Sequence, residues 1–477
     1  MASSSKFSII FMVIVLSLFI VFAFMLLKDL DGPEISLSHT EDTISAALPI
    51  TVTASDGSSI KYIEVVARFH DNEIPVLRKE FSDDDKTRRL NFTLSGAGLK
   101  NNELFELEIS AVDRSFGRFG FGNKSKIVIP LRLDLDKPRI TVKPGVIRVR
   151  RGGSACAVYA VSKDVKQTGV KLGEHFFPAF RQENGDYLCL FAFPYYMELK
   201  DYNPQLVAWD RAGNYTLQNL GVNALPAQFK TDTIVIRQNF LDAKALEFEN
   251  LVPGQTSDLE RFLAVNGRIR RANAARLVEL GKNTAPEFLW RNSFLRLPRA
   301  AMRANFAERR AYLWEDKKID EQTHLGLDLA SVKQADVPAA NFGTVIFAGY
   351  LGIYGNMVVI DHGTSLQSLY SHLSEISVET GTPVKKGDII GKTGSTGMAG
   401  GDHLHFGILI AGLEVNPQEW LDDHWIKDNI VERIKEAGGK MPSFEASTER
   451  VPPRRPALVK PKTKTKPPAR SKGGKKR

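Results

Sequence analysis

Five side chains in the C-terminal half of this chain have the chemistry of a metal-dependent hydrolase: His324, Asp328, His372, His403 and His405. Neutral imidazoles with one carboxylate form a donor set that suits zinc and leaves a coordination position open for water. His324 and Asp328 lie in Thr323-His-Leu-Gly-Leu-Asp-Leu-Ala330, where Leu325, Leu327 and Leu329 alternate with His324, Gly326 and Asp328. Period-two geometry predicts a strand with the leucines on one face and the His and Asp side chains on the other. His403 and His405, in Gly401-Asp-His-Leu-His-Phe-Gly407, share a face of a second expected strand, with Leu404 and Phe406 directed the opposite way. The expected Zn(2+) ligands are His324, Asp328 and one histidine of the second strand. The remaining histidine and His372, in Tyr370-Ser-His-Leu-Ser374, are left to move protons or to bind the oxyanion of a tetrahedral intermediate. Strand geometry alone does not choose between His403 and His405. His362 sits in a turn beside Gly363 and is left out of the site.

The elements that must position these groups read as strands. Candidates are Gly343 to Ala348, Met357 to Ile360, Gln367 to Ser371, Ile389 to Lys392 and His403 to Ile410, closely punctuated by Gly and Asn. That pattern predicts an antiparallel sheet with tight turns over 311–421. Thr393-Gly-Ser-Thr-Gly397 has the composition of a phosphate loop, but no GK[ST] ending follows it, which argues against nucleotide binding.

Upstream, residues 32–133 carry short strands separated by turn residues and read as a β-sandwich. Residues 134–221 repeat that layout. Asp31-Gly-Pro is echoed by Asp136-Lys-Pro, and Asp113 followed by Gly122-Asn123 is echoed by Asp210 followed by Gly213-Asn214. Two tandem immunoglobulin-like sandwiches are the expectation, serving as spacers. Residues 222–310 turn helical over Leu241 to Leu251, Ser257 to Val265 and Asn273 to Leu280, with Ser257 and Glu260 spaced for a capping box. Many arginines make this connector basic, so it presents a solvated face or lies over the site and limits access. A C-terminal helix is expected over 422–440, and a disordered basic tail over 441–477.

Residues Phe7 to Leu27 form a run of 21 residues without charge and with two serines. At about 1.5 Å per residue such a helix reaches about 30 Å, the thickness of a bilayer core, so the expectation is a single-pass transmembrane anchor at 7–27 behind a cytoplasmic stub at 1–6. The formal net charge is +9, but residues 452–477 hold eleven Lys or Arg and no acid, leaving the rest of the chain about two charges negative. The basic balance belongs to a tail that can touch anionic polymers, and a folded nucleic-acid surface is not implied. Cys156 and Cys189 form either one disulfide or a pair of buried thiols. Oligomeric state leaves no mark in the sequence.

The motifs in the 311–421 region resemble the lysostaphin-type zinc endopeptidases, also called the LytM or M23 family. The resemblance rests on His324-Leu-Gly-Leu-Asp328, Tyr354-Gly-Asn-Met-Val-Val-Ile-Asp-His-Gly363, Tyr370-Ser-His-Leu-Ser374, Gly381-Thr-Pro-Val-Lys-Lys-Gly387, Gly391-Lys-Thr-Gly-Ser-Thr-Gly397, His403-Leu-His-Phe406 and Asn416-Pro417. It implies that His324, Asp328 and His405 hold the zinc, that His403 is the general base and that His372 steadies the oxyanion. It implies cleavage of peptide stems or bridges of peptidoglycan, and with the anchor a bacterial inner-membrane protein whose bulk is periplasmic or otherwise extracytoplasmic. Some relatives lack ligands and activate wall amidases, so a non-catalytic wall scaffold or amidase activator is the alternative. Gly407 departs from the family, where Glu commonly follows His-Leu-His-Phe, and Asn305 to Tyr312 resembles the strand that leads into the site.

Overall fold

The computed structural model describes residues 10–21, 29–115 and 121–440. The expected anchor is corrected here. Among the described residues no helix is long and apolar enough to cross a membrane. The helix near the N-terminus is described over 10–21. Residues 7–9 and 22–27 of the proposed span lie outside the described residues, as does the tail at 441–477. The expected membrane contact and the single-pass inner-membrane topology, with the periplasmic placement attached to it, are corrected by the same finding.

The chain is mainly β with helical segments, and it divides into two compact units. The first comprises Met1–Lys143, Tyr159–Ala179 and Asn203–Leu220. Within it a five-stranded sheet runs in the order Thr43–Ile44, Lys124–Leu133, Leu104–Asp113, Ile60–Phe69 and Asn72–Glu80, beside a three-stranded sheet of Glu34–Leu37, Ile50–Ser55 and Thr87–Phe92. Strict alternation in Ile50–Ser55 buries Ile50, Val52 and Ala54, which join Ile63, Val65, Leu107 and Ile109 of the larger sheet in one core. The echoed sequence stretches make the same bonds. The Asn123 side-chain amide donates to the carbonyls of Asp29 and Asp31, and its N–H donates to Asp113 Oδ1. Asn214 donates correspondingly to the Asp134 carbonyl and, through its N–H, to Asp210 Oδ1. Each Asp and Asn pair therefore clamps the backbone that leads into its own first strand.

The second unit comprises Pro144–Val158, Phe180–Tyr202 and Gly221–Arg477. Its centre is a sheet in the order Ala301–Ala304, Leu327–Ala330, Leu404–Ile410, Leu366–Leu373, Asn356–Asp361, Gly343–Tyr350 and Pro383–Val384, with Leu413–Val415 also paired to Leu404–Ile410. Every pairing among its described strands is antiparallel, as the Gly and Asn punctuation predicts. Leu366–Leu373 and Leu404–Ile410 are buried at every position, because both faces of this sheet are covered. One cover is the helical segment: Leu241, Phe248, Phe262 and Leu277 share a core with Met357, Val359, Leu369 and Leu409. The helices Gln238–Leu251, Asp258–Ala264 and Arg270–Gly281 are thus built into the body that holds the central sheet, and Ser257 and Glu260 do form the capping box.

Cys156 and Cys189 are both buried, and the Cys189 thiol donates to the Leu190 carbonyl, so the thiol alternative is the one found. Burial pushes the Cys156 thiol up to about 12. The Trp420 indole N–H donates to Ser154 Oγ at 3.0 Å, and neighbouring Glu419 accepts from the Ser154 N–H at 2.8 Å. Burial outweighs that bond and raises the Glu419 carboxyl from 4.5 to about 8. A raised folded-state value means stability is fully present below about 4.5 and is lost as pH rises through about 8. The unfolding midpoint is expected to drop by roughly 3 °C or more from about pH 6 to about pH 9, and Glu419→Gln to flatten that drop. Equal slopes in calorimetry of the two proteins would contradict the assignment.

Candidate metal centre

Three adjacent strands bring Asp328, His405 and His372 together, and His324 and His403 join them from the end of a neighbouring hairpin and from the residue before a strand. Asp328, in Leu327–Ala330, lies directly opposite His405 of Leu404–Ile410, and His405 in turn lies opposite Ser371 of Leu366–Leu373, one residue before His372. His324 closes the strand Lys317–His324. The single strand expected over 323–330 is interrupted at Leu325 and Gly326, although Leu327 and Leu329 are fully buried as the alternation predicts. Gly326 has a steric reason: a Cβ there would sit 2.6 Å from both Cε1 and Nε2 of His405. His403 precedes its strand and is held by a single bridge to Gly394. His372 has φ +62°, a left-handed conformation that is unfavourable for a bulky side chain and characteristic of functional positions.

The donor atoms converge. His324 Nε2 lies 2.8 Å from Asp328 Oδ1 and 2.9 Å from His405 Nδ1, and His405 Nδ1 lies 3.0 Å from Asp328 Oδ1. The His324 Nδ1–H donates to the Asn305 carbonyl at 2.9 Å, which fixes the tautomer and turns the Nε2 lone pair toward the other two atoms. Burial, together with the neighbouring histidines, lowers His405 to about 4 despite the Asp328 carboxylate, so it is a neutral imidazole. A carboxylate and two ring nitrogens at mutual contact distance are what a cation requires, and the trio fits a zinc ion held through His324 Nε2, Asp328 Oδ1 and His405 Nδ1.

His372 and His403 flank the trio, with ring centroids 4.9 Å apart. His372 Nδ1–H donates to the Thr396 carbonyl and His403 Nδ1–H to that of Gly401, each at 2.8 Å. Burial, reinforced by His403 and His405, holds His372 well below the usual imidazole range. Burial also pulls His403 down, but the bond and charge of Asp328, 3.5 Å from its Nε2, win and leave it raised. Desolvation opposes ionisation of Asp328, yet the surrounding histidines hold its carboxyl well below the usual range. His362 lies apart as expected, its Nδ1–H donating to the Phe342 carbonyl and its Nε2 paired with Ser368 Oγ, each at 2.7 Å.

Sequence reasoning missed Arg310, whose guanidinium donates to Asp328 Oδ2 at 3.0 Å while Oδ1 faces the trio. No spacing rule flags an arginine one hairpin strand away from its partner. Holding Oδ2 leaves Oδ1 as the one oxygen for the metal, so Arg310→Ala is expected to weaken zinc binding about 10- to 100-fold. Competition with a chelating dye reads this directly, and unchanged affinity would remove Arg310 from the site. At Gly407 a Cβ would meet Leu369 at 3.5 Å, an ordinary contact, so nothing there demands glycine.

The five residues open onto a cavity of about 940 Å³. Helical residues line part of it, and Lys244 and Glu247 tie the helix Gln238–Leu251 to the Ser395 carbonyl and the Gly397 N–H. Tyr354, also lining the cavity, donates to the buried Glu414 at 3.1 Å.

This region is similar in sequence to known proteins. The chain is 43% identical over 94 residues to the DD-carboxypeptidase/endopeptidase Mpg of Neisseria meningitidis, covering 20% of this chain and 22% of that protein. It is 38% identical over 93 residues to the peptidoglycan DD-endopeptidase ShyA of Vibrio cholerae, again 20% and 22%. The chain thus spans about a fifth of the length of these curated relatives. The catalytic domain of the antimicrobial peptidase lysostaphin from Staphylococcus simulans aligns at 27% identity and a TM-score of 0.23, covering 26% of this chain and 94% of that one. Residues 322–417 match Peptidase family M23, and that stretch contains His324, Asp328, His372, His403 and His405.

Proposed function

We propose that the protein is a zinc endopeptidase that cleaves peptide stems or cross-links of peptidoglycan during cell-wall remodelling. The observation that carries this reading is the convergence of His324 Nε2, Asp328 Oδ1 and His405 Nδ1 within 3.0 Å of one another, with two more histidines beside them. The family match over 322–417 and the wall-peptidase names of the two relatives support the reaction class.

Zinc, when bound, supplies Lewis-acid polarisation of a water and of the scissile carbonyl. His403 serves as general base: its Nδ1–H is committed to Gly401, so Nε2 is the atom that takes the proton. His372 steadies the developing oxyanion. Its Nδ1–H is committed to Thr396, so a neutral ring offers only a lone pair at Nε2. It becomes a donor only by taking up a proton as negative charge develops beside it.

We read the rest of the chain as two immunoglobulin-like sandwiches at 32–133 and 134–221 acting as spacers, a helical segment at 222–310, the peptidase at 311–421 and a helix at 422–440. The shared core of the two N-terminal sheets and the repeated Asp and Asn clamp support it. Incubating the zinc-loaded full chain with purified cell wall tests the enzymatic reading through release of soluble peptides. Stoichiometric zinc without release from any wall type would favour a non-catalytic scaffold or amidase activator.

A further inference from the structure

The cavity above the metal centre is cationic, and part of that charge has no partner. Six basic side chains line it, Arg237, Lys244, Arg270, Arg271, Arg303 and Arg310, against the acids Asp232, Asp328 and Glu414. Three of the six are committed: Lys244 to Glu247, Arg270 to Asn266 and Arg310 to Asp328. Among the described residues, Arg237, Arg271 and Arg303 have no side-chain ion pair or hydrogen bond, although they come from three separate segments that face one cavity. Like charges gathered in a cleft with low-dielectric walls repel one another and focus a field that attracts an anion.

Arg303 has the most telling position. The strand Ala301–Ala304 pairs with Leu327–Ala330 so that Met302 faces Leu329 and Ala304 faces Asp328, with a register shift between them. Arg303 is therefore the extra residue of a bulge beside a metal-ligand candidate, and bulges next to active sites re-aim a side chain. A guanidinium without a partner presents a planar fork that fits a carboxylate bidentately.

We infer that Arg303, assisted by Arg271 and Arg237, forms a carboxylate-recognition subsite, so that the preferred substrate is a peptide with free carboxylates near the scissile bond. The inference rests on the peptidase reading for its place and adds the charge that the substrate must carry. An amidated peptide of the same sequence keeps the shape and loses the charge-assisted bonds.

The test uses the zinc-loaded full chain and two synthetic cross-linked wall-peptide dimers, one with free and one with amidated carboxylates. Binding is measured by titration and hydrolysis by product release. Wild type is expected to favour the free dimer about tenfold or more in Kd and in kcat/KM. Arg303→Gln should cut the preference to about threefold or less, Arg303→Lys should retain part of it, and an Arg271→Gln, Arg303→Gln double variant should abolish it. Arg309→Gln changes an exposed arginine outside the cavity lining and should leave the ratio as it is. A wild type that binds both dimers equally, or a preference that survives the double variant, overturns the inference. A preserved binding preference without hydrolysis of either dimer would leave the subsite standing and sink the peptidase reading alone.

Discussion

Asp328→Ala is expected to lose zinc and hydrolysis together. Asp328 supplies the only anionic atom of the converging trio, and its Oδ1 touches both histidine donors at 2.8 and 3.0 Å. Removing it leaves two buried imidazoles with no charge to balance a dication. It also leaves the Arg310 guanidinium, 18% exposed, without its carboxylate. Breaking one side of a buried ion pair costs about 3 kcal/mol or more, so the metal-free variant should also unfold several degrees earlier than the metal-free wild type. Zinc content after dialysis should fall below about a tenth of an equivalent, with no measurable peptide release. Asp328→Asn keeps the shape without the charge and separates the two effects: it should lose metal with a smaller stability loss. Full zinc occupancy in Asp328→Ala would move the metal centre elsewhere.

His403→Ala is expected to produce the opposite pattern, with metal retained and turnover lost. His403 stands outside the trio, its side chain is 17% exposed, and its hydrogen bonds are to a loop carbonyl and to a carboxylate already held by others. Zinc stoichiometry and melting temperature should therefore stay close to wild type, while kcat drops about 100- to 10,000-fold, the usual contribution of a general base. The titration of the metal-free ring follows from the raised value. Burial lowers the ring's affinity for a proton, but the Asp328 bond and charge overcome that, so the metal-free protein should titrate His403 above 6.5 in an NMR series. A base works only when deprotonated, so activity should decline on acidification, and the decline should vanish in the residual activity of His403→Ala.

How much of this was legible in the sequence depended on local pattern. Leu327 and Leu329 declared a half-buried strand because side-chain direction has period two, and the same rule placed His403 and His405 on one face. The break at Leu325 and Gly326 was not legible, since it answers to the approach of the His405 ring from a strand 80 residues away in sequence. The family resemblance, not the geometry, chose His405 over His403 as ligand, and Nδ1 of His405 is the atom found beside Asp328. Asn72–Glu80 carries no apolar alternation that would announce it, because it is an edge strand with mostly exposed residues. The arginine-rich helical segment read as a solvated connector, yet Phe248, Phe262 and Leu277 anchor it to the central sheet. At the N-terminus hydropathy alone predicted a bilayer span, whereas among the described residues no helix is long and apolar enough to cross a membrane.

The central claim is that one zinc ion, held by His324, Asp328 and His405, makes this chain a wall peptidase with His403 as its base. It is tested most directly by measuring zinc content and peptide release from purified peptidoglycan in parallel, for the wild-type full chain and for His403→Ala. About one zinc per chain is expected in both proteins, with release by the wild type only. One zinc in each and equal release, or no release by either, would contradict it.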